Sequence, residues 1–311
     1  MLVKRIAVLL VLVVAGCGSP ESPASVRAAL SVAPSATSGT SEPAAVPRRS
    51  PAATPSSSPQ PKLLPRPGNA GGDADVPADA RAEDTGEPDR VVGKGTPASC
   101  TSAAVVKAVA AGGKITFNCG PAPLVIRMTA AAKVRNGNGP VVIDGGHRVT
   151  LDGGGKRRLI YLNTCDRAQG WTTSHCQDQD HPRLTVQNLA LRNGNSTGDT
   201  TEGGGVRDNE AIGRGANPAR GGTPGGGSGG AIYLDGNRFT LTLDGTMIER
   251  NHAREGGGAV FFVSNDRTGT LAIRDSTLRR NPSDGFETAG LPGIFWLGAG
   301  NPSVRGSTLR K

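Results

Sequence analysis

The chain has 311 residues and a formal net charge of +9, and it contains 46 Gly and 23 Pro but only ten aromatic residues. The glycines lack a strict every-third spacing, which excludes collagen, and no apolar run after the first fifteen or so residues is long enough for a membrane-spanning helix. Gly disfavours a helix by about 1 kcal/mol relative to Ala, so a mainly helical enzyme is also disfavoured. The composition favours a secreted or surface β protein.

Residues 1–17 have the features of an export signal. Two cations are followed by a short apolar run and then by Val14-Ala15-Gly16-Cys17. This stretch resembles the lipobox of bacterial lipoproteins. The resemblance implies that Cys17 carries the lipid, that cleavage occurs just before it, and that the protein is anchored to the extracytoplasmic face of the bacterial membrane or at the cell surface. The alternative is an ordinary cleaved signal with a chance Cys.

Residues 18–95 are predicted to be a disordered linker. The first aromatic residue is Phe117, and most of the prolines lie before residue 98, amid Ala, Ser and Thr. A stretch with so little large apolar surface does not offset its loss of conformational entropy on folding, so we expect a partly polyproline-like tether. The alternative is a pro-segment or a wrongly assigned coding start.

The cysteines support an oxidising compartment. Without Cys17, four remain, and they form two local pairs, Cys100 with Cys119 and Cys165 with Cys176. Four cysteines allow three connectivities, of which the local one closes short loops. We predict both local disulfides, and the alternative is free buried thiols.

One helix is predicted in the chain. Residues 96–113 contain TSAAVVKAVAA, with Thr101 or Ser102 as N-cap and two glycines as the stop. The alternating strand KITFNC follows at 114–119, and short strands closed by Gly, Asn or Asp then recur at 141–146, 149–155 and 159–162. Residues 114–311 are therefore predicted to form one β domain.

Internal repeats give the strongest signal for the fold. LTVQNLALRN at 184–193, LTLDGTMIERN at 241–251 and LAIRDSTLRRN at 271–281 share one pattern, and the last two are offset by 30 residues. A second motif, Gly-Gly-Ala followed by Ile-Tyr or Val-Phe, starts at Gly229 and at Gly257. A period of this length fits three short strands, and about seven such repeats would stack along the domain.

Stacking assigns positions to the repeated residues. Asn251 and Asn281 are predicted to form a structural amide ladder between successive repeats. The side chains expected to point inward are Ile143, Leu151, Leu243, Ile248, Phe261, Ile273 and Leu278.

These motifs resemble those of right-handed parallel β-helices of the pectate-lyase-like superfamily, and most closely bacterial surface proteins with polymorphic-outer-membrane-type repeats. The Gly-Gly-Ala motif matches well, whereas Ile248, Leu278 and Leu191 replace the Phe of the second motif. The resemblance implies an all-β fold, namely a single-stranded right-handed parallel β-helix with three short strands per repeat and an N-terminal capping helix. It says little about activity.

One stretch departs from the pattern. Residues 194–228 form a Gly-rich insertion with few apolar residues. A loop of this length is either functional or disordered, so the stack is not predicted to be continuous there.

Most of the net positive charge lies after residue 95. A basic face can bind acidic polysaccharide, teichoic acid or anionic lipid, and it can equally be a solvated Arg-rich surface. Nucleic acid is not expected, because the cations are scattered and no binding module accompanies them.

The stretch SHCQDQDHPRL contains the best cluster for chemistry. Asp178 and Asp180 are candidate ligands of Ca²⁺, and His175 and His181 lie beside them. A polysaccharide lyase of the resembling fold class uses Ca²⁺ and an Arg base, and Arg183 is the candidate here. The alternative is an ordinary polar loop.

Other catalytic arrangements are weaker. Asp144, Asp152, Asp244 and Asp275 precede or occupy turns and are predicted to be structural rather than a glycosidase pair. The histidines His147 and His252 are isolated in the sequence. The signature patterns of pectate lyases and polygalacturonases do not occur.

The sequence therefore favours a lipid-anchored, monomeric surface module that binds polysaccharide and needs no cofactor. Whether it is an enzyme stays open, with a leaning against catalysis. The alternatives are a divergent Ca²⁺-dependent polysaccharide lyase, or less specifically a glycoside hydrolase, and an adhesin that binds another protein.

Overall fold

The computed structural model describes residues 63–68, 81–164, 166, 169, 183–196, 226–236, 238–264 and 266–311. These residues belong to one compact unit, Ser58–Lys311. In these ranges no helix is long and apolar enough to cross a membrane.

The described chain is mainly β structure with one α-helix. Helix α1 spans Ser102–Ala111 and follows a short 3-10 turn at Pro97–Ser99. The strands are β1 Arg90–Val92, β2 Gly113–Phe117, β3 Leu124–Arg127, β4 Ala132–Lys133, β5 Val141–Asp152, β6 Ile160–Asn163, β7 Leu184–Arg192, β8 Ile232–Asp235, β9 Thr240–Asp244, β10 Met247–Glu249, β11 Val260–Val263, β12 Thr270–Arg274, β13 Thr277–Arg279, β14 Ile294–Leu297, β15 Ser303–Arg305 and β16 Thr308–Arg310.

The strands form two parallel sheets. Sheet A has eleven strands, in the order β1-β2-β5-β7-β10-β13-β16, with β3 beside β5 and with β9, β12 and β15 as a second row beside β7. Sheet B has five strands in the order β4-β6-β8-β11-β14. Strands that pair are separated in the chain by a whole repeat, so each repeat contributes to both sheets.

The predicted single-stranded right-handed β-helix with three short strands per repeat is wrong, because the described strands form two parallel sheets, one of them eleven-stranded. The prediction assumed separate strands at 141–146 and 149–155. In the structure β5 is continuous over this stretch, and its first part pairs with β2 while its last part pairs with β3.

Left-handed residues explain why the chain bends here without ending the strand. Gly146 and His147 have φ of 57°, and Asn188 in β7 has φ of 51°. The pairing of β5 with β7 shifts its register between Asp144 and Val149, at the same bend. A few residues therefore redirect the strand where the sequence pattern indicated a turn.

Repeat-to-repeat pairing is in register. Leu241 of β9 lies beside Leu271 of β12, and Ile248 of β10 beside Leu278 of β13. In sheet B, Ile232 lies beside Val260. Residues at equivalent positions of successive repeats are thus direct neighbours.

The main hydrophobic core is made by alternate residues of both sheets. All but one of the side chains expected to point inward belong to it and are fully buried: Ile143, Leu151, Leu243, Ile248, Ile273 and Leu278. Phe261 is the exception. It packs in a second cluster with Tyr161 and Tyr233, and its neighbour Phe262 fills the core instead, because side chains alternate between the faces of a strand.

Helix α1 and β1 lie at the N-terminal end of the sheets. Thr101 is the N-cap, and its hydroxyl accepts a hydrogen bond from the N–H of Ala104 at 3.2 Å. The helix lies against β1, β2 and β4. The predicted disulfide Cys100–Cys119 is confirmed and ties the start of α1 to the end of β2, with a Cα–Cα distance of 5.7 Å. The second predicted disulfide, Cys165–Cys176, lies outside the described residues.

The predicted linker extends too far. Within residues 18–95, strand β1 pairs with β2 and two further stretches, 63–68 and 81–89, contact sheet A. Composition missed this order because most of the contacts are made by backbone and short polar groups, with Val92 as the described residue of this range that is buried in the main core. The predicted linker residues 18–62 and 69–80, and the lipidation site Cys17, lie outside the described residues.

Hydrogen bonds hold residues 81–89 on the outer face of sheet A. The amide of Gln187 accepts from the N–H of Glu83 and donates to its carbonyl, both at 2.9 Å. The hydroxyl of Thr85 donates to Asp144 Oδ2 at 2.7 Å. Burial alone would raise the pKa of Asp144, but hydrogen bonds from Gln187, Thr85 and their neighbours hold it below its usual value. The contact buries polar side chains that would otherwise face water.

Residues 63–68 contact sheet A at β5 and at β13. The N–H of Leu64 donates to the carbonyl of His147 at 3.2 Å, and the N–H of Gly68 donates to Thr277 Oγ1 at 2.9 Å. Gly68 has φ of 99°, and a Cβ there would lie 2.6 Å from the backbone of Asp275. Glycine is therefore required for this close approach.

Replacing Gln187 by Leu should detach residues 81–89. The variant leaves the N–H and carbonyl of Glu83 without partners, so we expect the free energy of unfolding to fall by about 2–4 kcal/mol. Urea unfolding measures the loss, and limited trypsin digestion should cleave earlier at Arg81 or Arg90.

Thr185→Val is the matched control, because Thr185 lies on the same strand and makes no side-chain hydrogen bond to any residue in the described ranges. Its effect should stay below about 1 kcal/mol. Equal effects of the two substitutions would contradict the role given to Gln187.

Candidate functional site

Asn251 and Asn281 are neighbours at one corner of the stack. The side-chain amide of Asn251 donates to Asn281 Oδ1 at 2.9 Å, and the backbone N–H of Asn251 donates to the same oxygen at 3.1 Å. The amide of Asn281 in turn donates to the carbonyl of Ile248 at 2.9 Å. Both residues are buried, so these amides satisfy the backbone at the corner and are closed to a ligand.

The residues considered for lyase chemistry are not brought together by the described structure. Asp178, Asp180, His175 and His181 lie outside the described residues. Arg183 is described, is exposed, and contributes its carbonyl to a hydrogen bond from the N–H of Val141. In the part of the chain that is described, no three His, Cys, Asp or Glu side chains are grouped to hold a metal ion.

A column of charged side chains crosses the outer face of sheet A. Arg127 Nη1 lies 3.6 Å from Asp152 Oδ1, and Arg192 Nε lies 3.1 Å from Asp152 Oδ2. In the following repeats Arg279 Nη2 lies 2.7 Å from Glu249 Oε2. In-register pairing gives the column this order: Arg127, Asp152, Arg192, Glu249, Arg279 and Arg310.

Asp152 is the best satisfied carboxylate of the column. Burial would raise its pKa, but the N–H of Gly154 and the side chains of Asn193 and Arg192 donate to it and hold its pKa below the usual value. Asp152 therefore stays ionised and fixes the arginines beside it. The sequence prediction of a structural turn at this position agrees with the bond to Gly154.

An open polar cleft lies where this column meets the corner of the stack. Its volume is about 380 Å³. Arg127 and Arg250 extend into solvent at its rim. The walls are guanidinium, amide, imidazole, carboxylate and backbone groups from Arg127, Asp152, Gly154, Gly155, Asn193, Gly194, Asn195, Arg250 and His252.

His252 is not isolated, contrary to the sequence interpretation. Its Nε2 lies 2.9 Å from Asp284 Oδ1, a residue of the next repeat. Asn195 forms a parallel bridge with His252 on the other side. The contact with Asp284 holds the imidazole in place at the cleft wall.

The outer face of sheet B is a second candidate, and it is closed. Tyr161, Tyr233, Phe261 and Phe295 stack in one column, with ring centroids 5.0–5.4 Å apart. The first three are buried, and the guanidinium of Arg158 lies 5.1 Å from the centre of the Tyr233 ring. A polymer in solution has no access to these three rings, and Phe295 is only partly exposed, so the cleft is the better site.

Asp235 is a buried carboxyl on this face, and one of its oxygens is unsatisfied. It is buried, and the hydroxyl of Tyr233 donates to its Oδ2 at 3.2 Å, while Oδ1 has no hydrogen-bond partner in the described structure. Burial raises the pKa of Asp235 to about 7, despite the hydrogen bond from Tyr233.

The cleft was missed in the sequence because its residues are far apart in the chain. The available signal was the pair of residues before each repeated Asn, since overlaying ERN at 249–251 on RRN at 279–281 aligns Glu249 with Arg279 and Arg250 with Arg280. Comparisons with known proteins add nothing to this site: no family model, curated protein or solved structure matches the chain. The resemblance to polymorphic-outer-membrane-type repeats stays a prediction.

Asp235→Asn should make stability less dependent on pH. A carboxyl whose pKa is raised in the folded state loses stability as pH rises from its unfolded value near 4 to its folded value of about 7. A shift of this size corresponds to about 4 kcal/mol above pH 7, part of which the Asn variant recovers. Urea unfolding at about pH 8 should show a variant that is more stable than the unmodified chain.

At about pH 5 the unmodified Asp235 is protonated, and the variant should be no more stable, since its new amide hydrogens lack acceptors. The same stability difference at both pH values would show that Asp235 is not titrating in this range.

Proposed function

We propose that this chain is a lipid-anchored, extracytoplasmic binding module whose ligand is a polysaccharide. The open polar cleft carries the proposal. Its walls offer donors and acceptors in about equal variety, and no large apolar side chain lines it. A hydroxyl-rich polymer fits such a lining better than an apolar small molecule does.

The shape of the cleft supports an extended ligand. It lies along the direction in which repeats stack, with Arg127 from an early repeat and His252 from a later one. A chain of sugar units laid along this direction meets polar side chains from equivalent positions of successive repeats.

Two observations support the proposed compartment. Val14-Ala15-Gly16-Cys17 resembles a lipobox, and the disulfide Cys100–Cys119 is typical of proteins outside the cytoplasm. Residues 63–68 and 81–92 are attached to the sheets. The proposed tether between Cys17 and the sheets is therefore shorter than the linker of residues 18–95 that composition indicated.

Substitution of Cys17 by Ser should release the protein from the membrane. We expect the unmodified chain in the membrane fraction of the expressing bacterium and C17S in the soluble fraction, because two or three acyl chains are needed for stable anchoring. Ser19→Ala is the control and should stay in the membrane fraction. Membrane retention of C17S would contradict lipidation at this residue.

Arg127→Ala should weaken polysaccharide binding. The test uses the chain with Cys17→Ser and a panel of soluble neutral and acidic polysaccharides, with dissociation constants from titration calorimetry. A lost charge-assisted hydrogen bond should lower affinity by about tenfold. The fold should survive, since Asp152 keeps Arg192, Asn193 and Gly154 as partners.

Arg148→Ala is the control, because Arg148 is exposed on a neighbouring strand and does not line the cleft. No binding to any member of the panel would refute the proposal. Ultraviolet absorbance of an unsaturated product in the same mixtures, lost on adding a chelator and in Arg183→Ala, would favour the lyase alternative instead.

A further inference from the structure

Two exposed arginines occupy equivalent positions in successive repeats. Arg250 follows β10 and Arg280 follows β13. The N–H of Arg250 donates to the carbonyl of Arg279, and the N–H of Arg280 donates to the carbonyl of Arg310, both at 3.3 Å. The backbones of the pair are therefore one strand spacing apart, about 4.8 Å.

Both arginines adopt a backbone conformation that disfavours them. Their φ values are 56° and 55°, in the left-handed region where a Cβ is crowded and Gly or Asn is preferred. In the preceding repeat this position is Asn193, with φ of 52°. The corner thus accepts a residue that is less strained and uncharged.

Their charges are not neutralised within the described structure. Neither guanidinium has a hydrogen bond or ion pair with any residue of the described ranges, and both side chains are exposed. The carboxylates of the adjacent charge column, Asp152 and Glu249, are already paired with other arginines. Two positively charged side chains on neighbouring backbone positions repel each other and oppose folding.

Strain and repulsion at one corner, with no compensating contact, indicate a role outside folding. Guanidinium groups bind carboxylates through two parallel hydrogen bonds. Arg250 lies on the cleft, and Arg280 lies with Arg310 on a second cavity further along the stack. The pair spans the two cavities, and we call this stretch the basic track. Its carboxylates are already paired, Asp152 of the cleft with Arg127 and Arg192, and Glu287 of the second cavity with Lys311 at 3.9 Å.

We propose that Arg250 and Arg280 select an acidic polysaccharide, whose carboxylates lie along the stack and each bind one guanidinium. The inference rests on the proposed polysaccharide binding and specifies its ligand. Bound carboxylates neutralise the two like charges, which a neutral sugar chain does not do. The polymer runs from the cleft towards Arg310.

The experiment removes both charges without straining the fold. Arg250→Gly with Arg280→Gly is the track variant, and Gly relieves the left-handed strain, so the variant should fold at least as well. Arg238→Gly with Arg267→Gly is the matched control. These arginines are also exposed and left-handed, with φ of 54° and 61°, but lie at a different corner.

Each protein, carrying Cys17→Ser, is titrated with polygalacturonate, with its fully methyl-esterified form and with poly(glycerol phosphate). The track variant should bind polygalacturonate at least about tenfold more weakly than the parent, and the control within about twofold of it. The esterified polymer, which has the same backbone without charge, should bind weakly to all three proteins. Added salt should weaken the binding of the parent more than that of the track variant.

Equal binding of polygalacturonate by the track variant and the control overturns the inference, as does equal binding of both polymer forms by the parent. In these cases polysaccharide binding itself stands if Arg127→Ala still weakens it. Tighter binding of poly(glycerol phosphate) than of polygalacturonate overturns the assignment to carboxylates. Absence of binding to every polymer, neutral ones included, refutes the proposed function itself.

Discussion

In-register parallel pairing is the constraint on which the rest of the structure depends. It places the residue at each position of one repeat beside the equivalent residue of the next, at about 4.8 Å. Similar residues at equivalent positions of successive repeats therefore lie side by side. For Asn251 and Asn281 the result is favourable because an amide both donates and accepts, and for stacked aromatic rings it is favourable as well. For charged residues it is unfavourable unless the sign alternates, as it does from Arg127 through Glu249.

The same constraint explains why the outer face of sheet A is covered. A strand buries alternate residues in the core and directs the others outward, and several of the outward ones are polar and nearly inaccessible, among them Gln187 and Asp144. Their groups are satisfied by residues 81–89, which composition alone assigned to a disordered linker. Covering the face thus turns part of the supposed tether into a structural element, held by hydrogen bonds rather than by apolar burial.

Local and periodic features could be predicted from the sequence, and long-range ones could not. The helix capped by Thr101, the Cys100–Cys119 pair and the neighbouring positions of Asn251 and Asn281 follow from short spacings or from the repeat. The two-sheet arrangement was missed because it depends on left-handed backbone inside β5, where Gly146 and His147 read as a turn. The cleft was missed because no local pattern relates Arg127 to His252.

Arginines in the left-handed backbone conformation occur at two corners of the stack, and their charged neighbours differ. Arg238 and Arg267 are left-handed at one corner, and there Asp266 lies 4.0 Å from Arg238 and supplies a negative charge. Arg250 and Arg280 have the same conformation without such a neighbour in the described chain. Backbone geometry does not require arginine at the second corner, since Asn193 adopts the same left-handed conformation at the equivalent position of the preceding repeat. What distinguishes the second corner is that its two arginines have no ion pair within the described chain and that it borders the cleft.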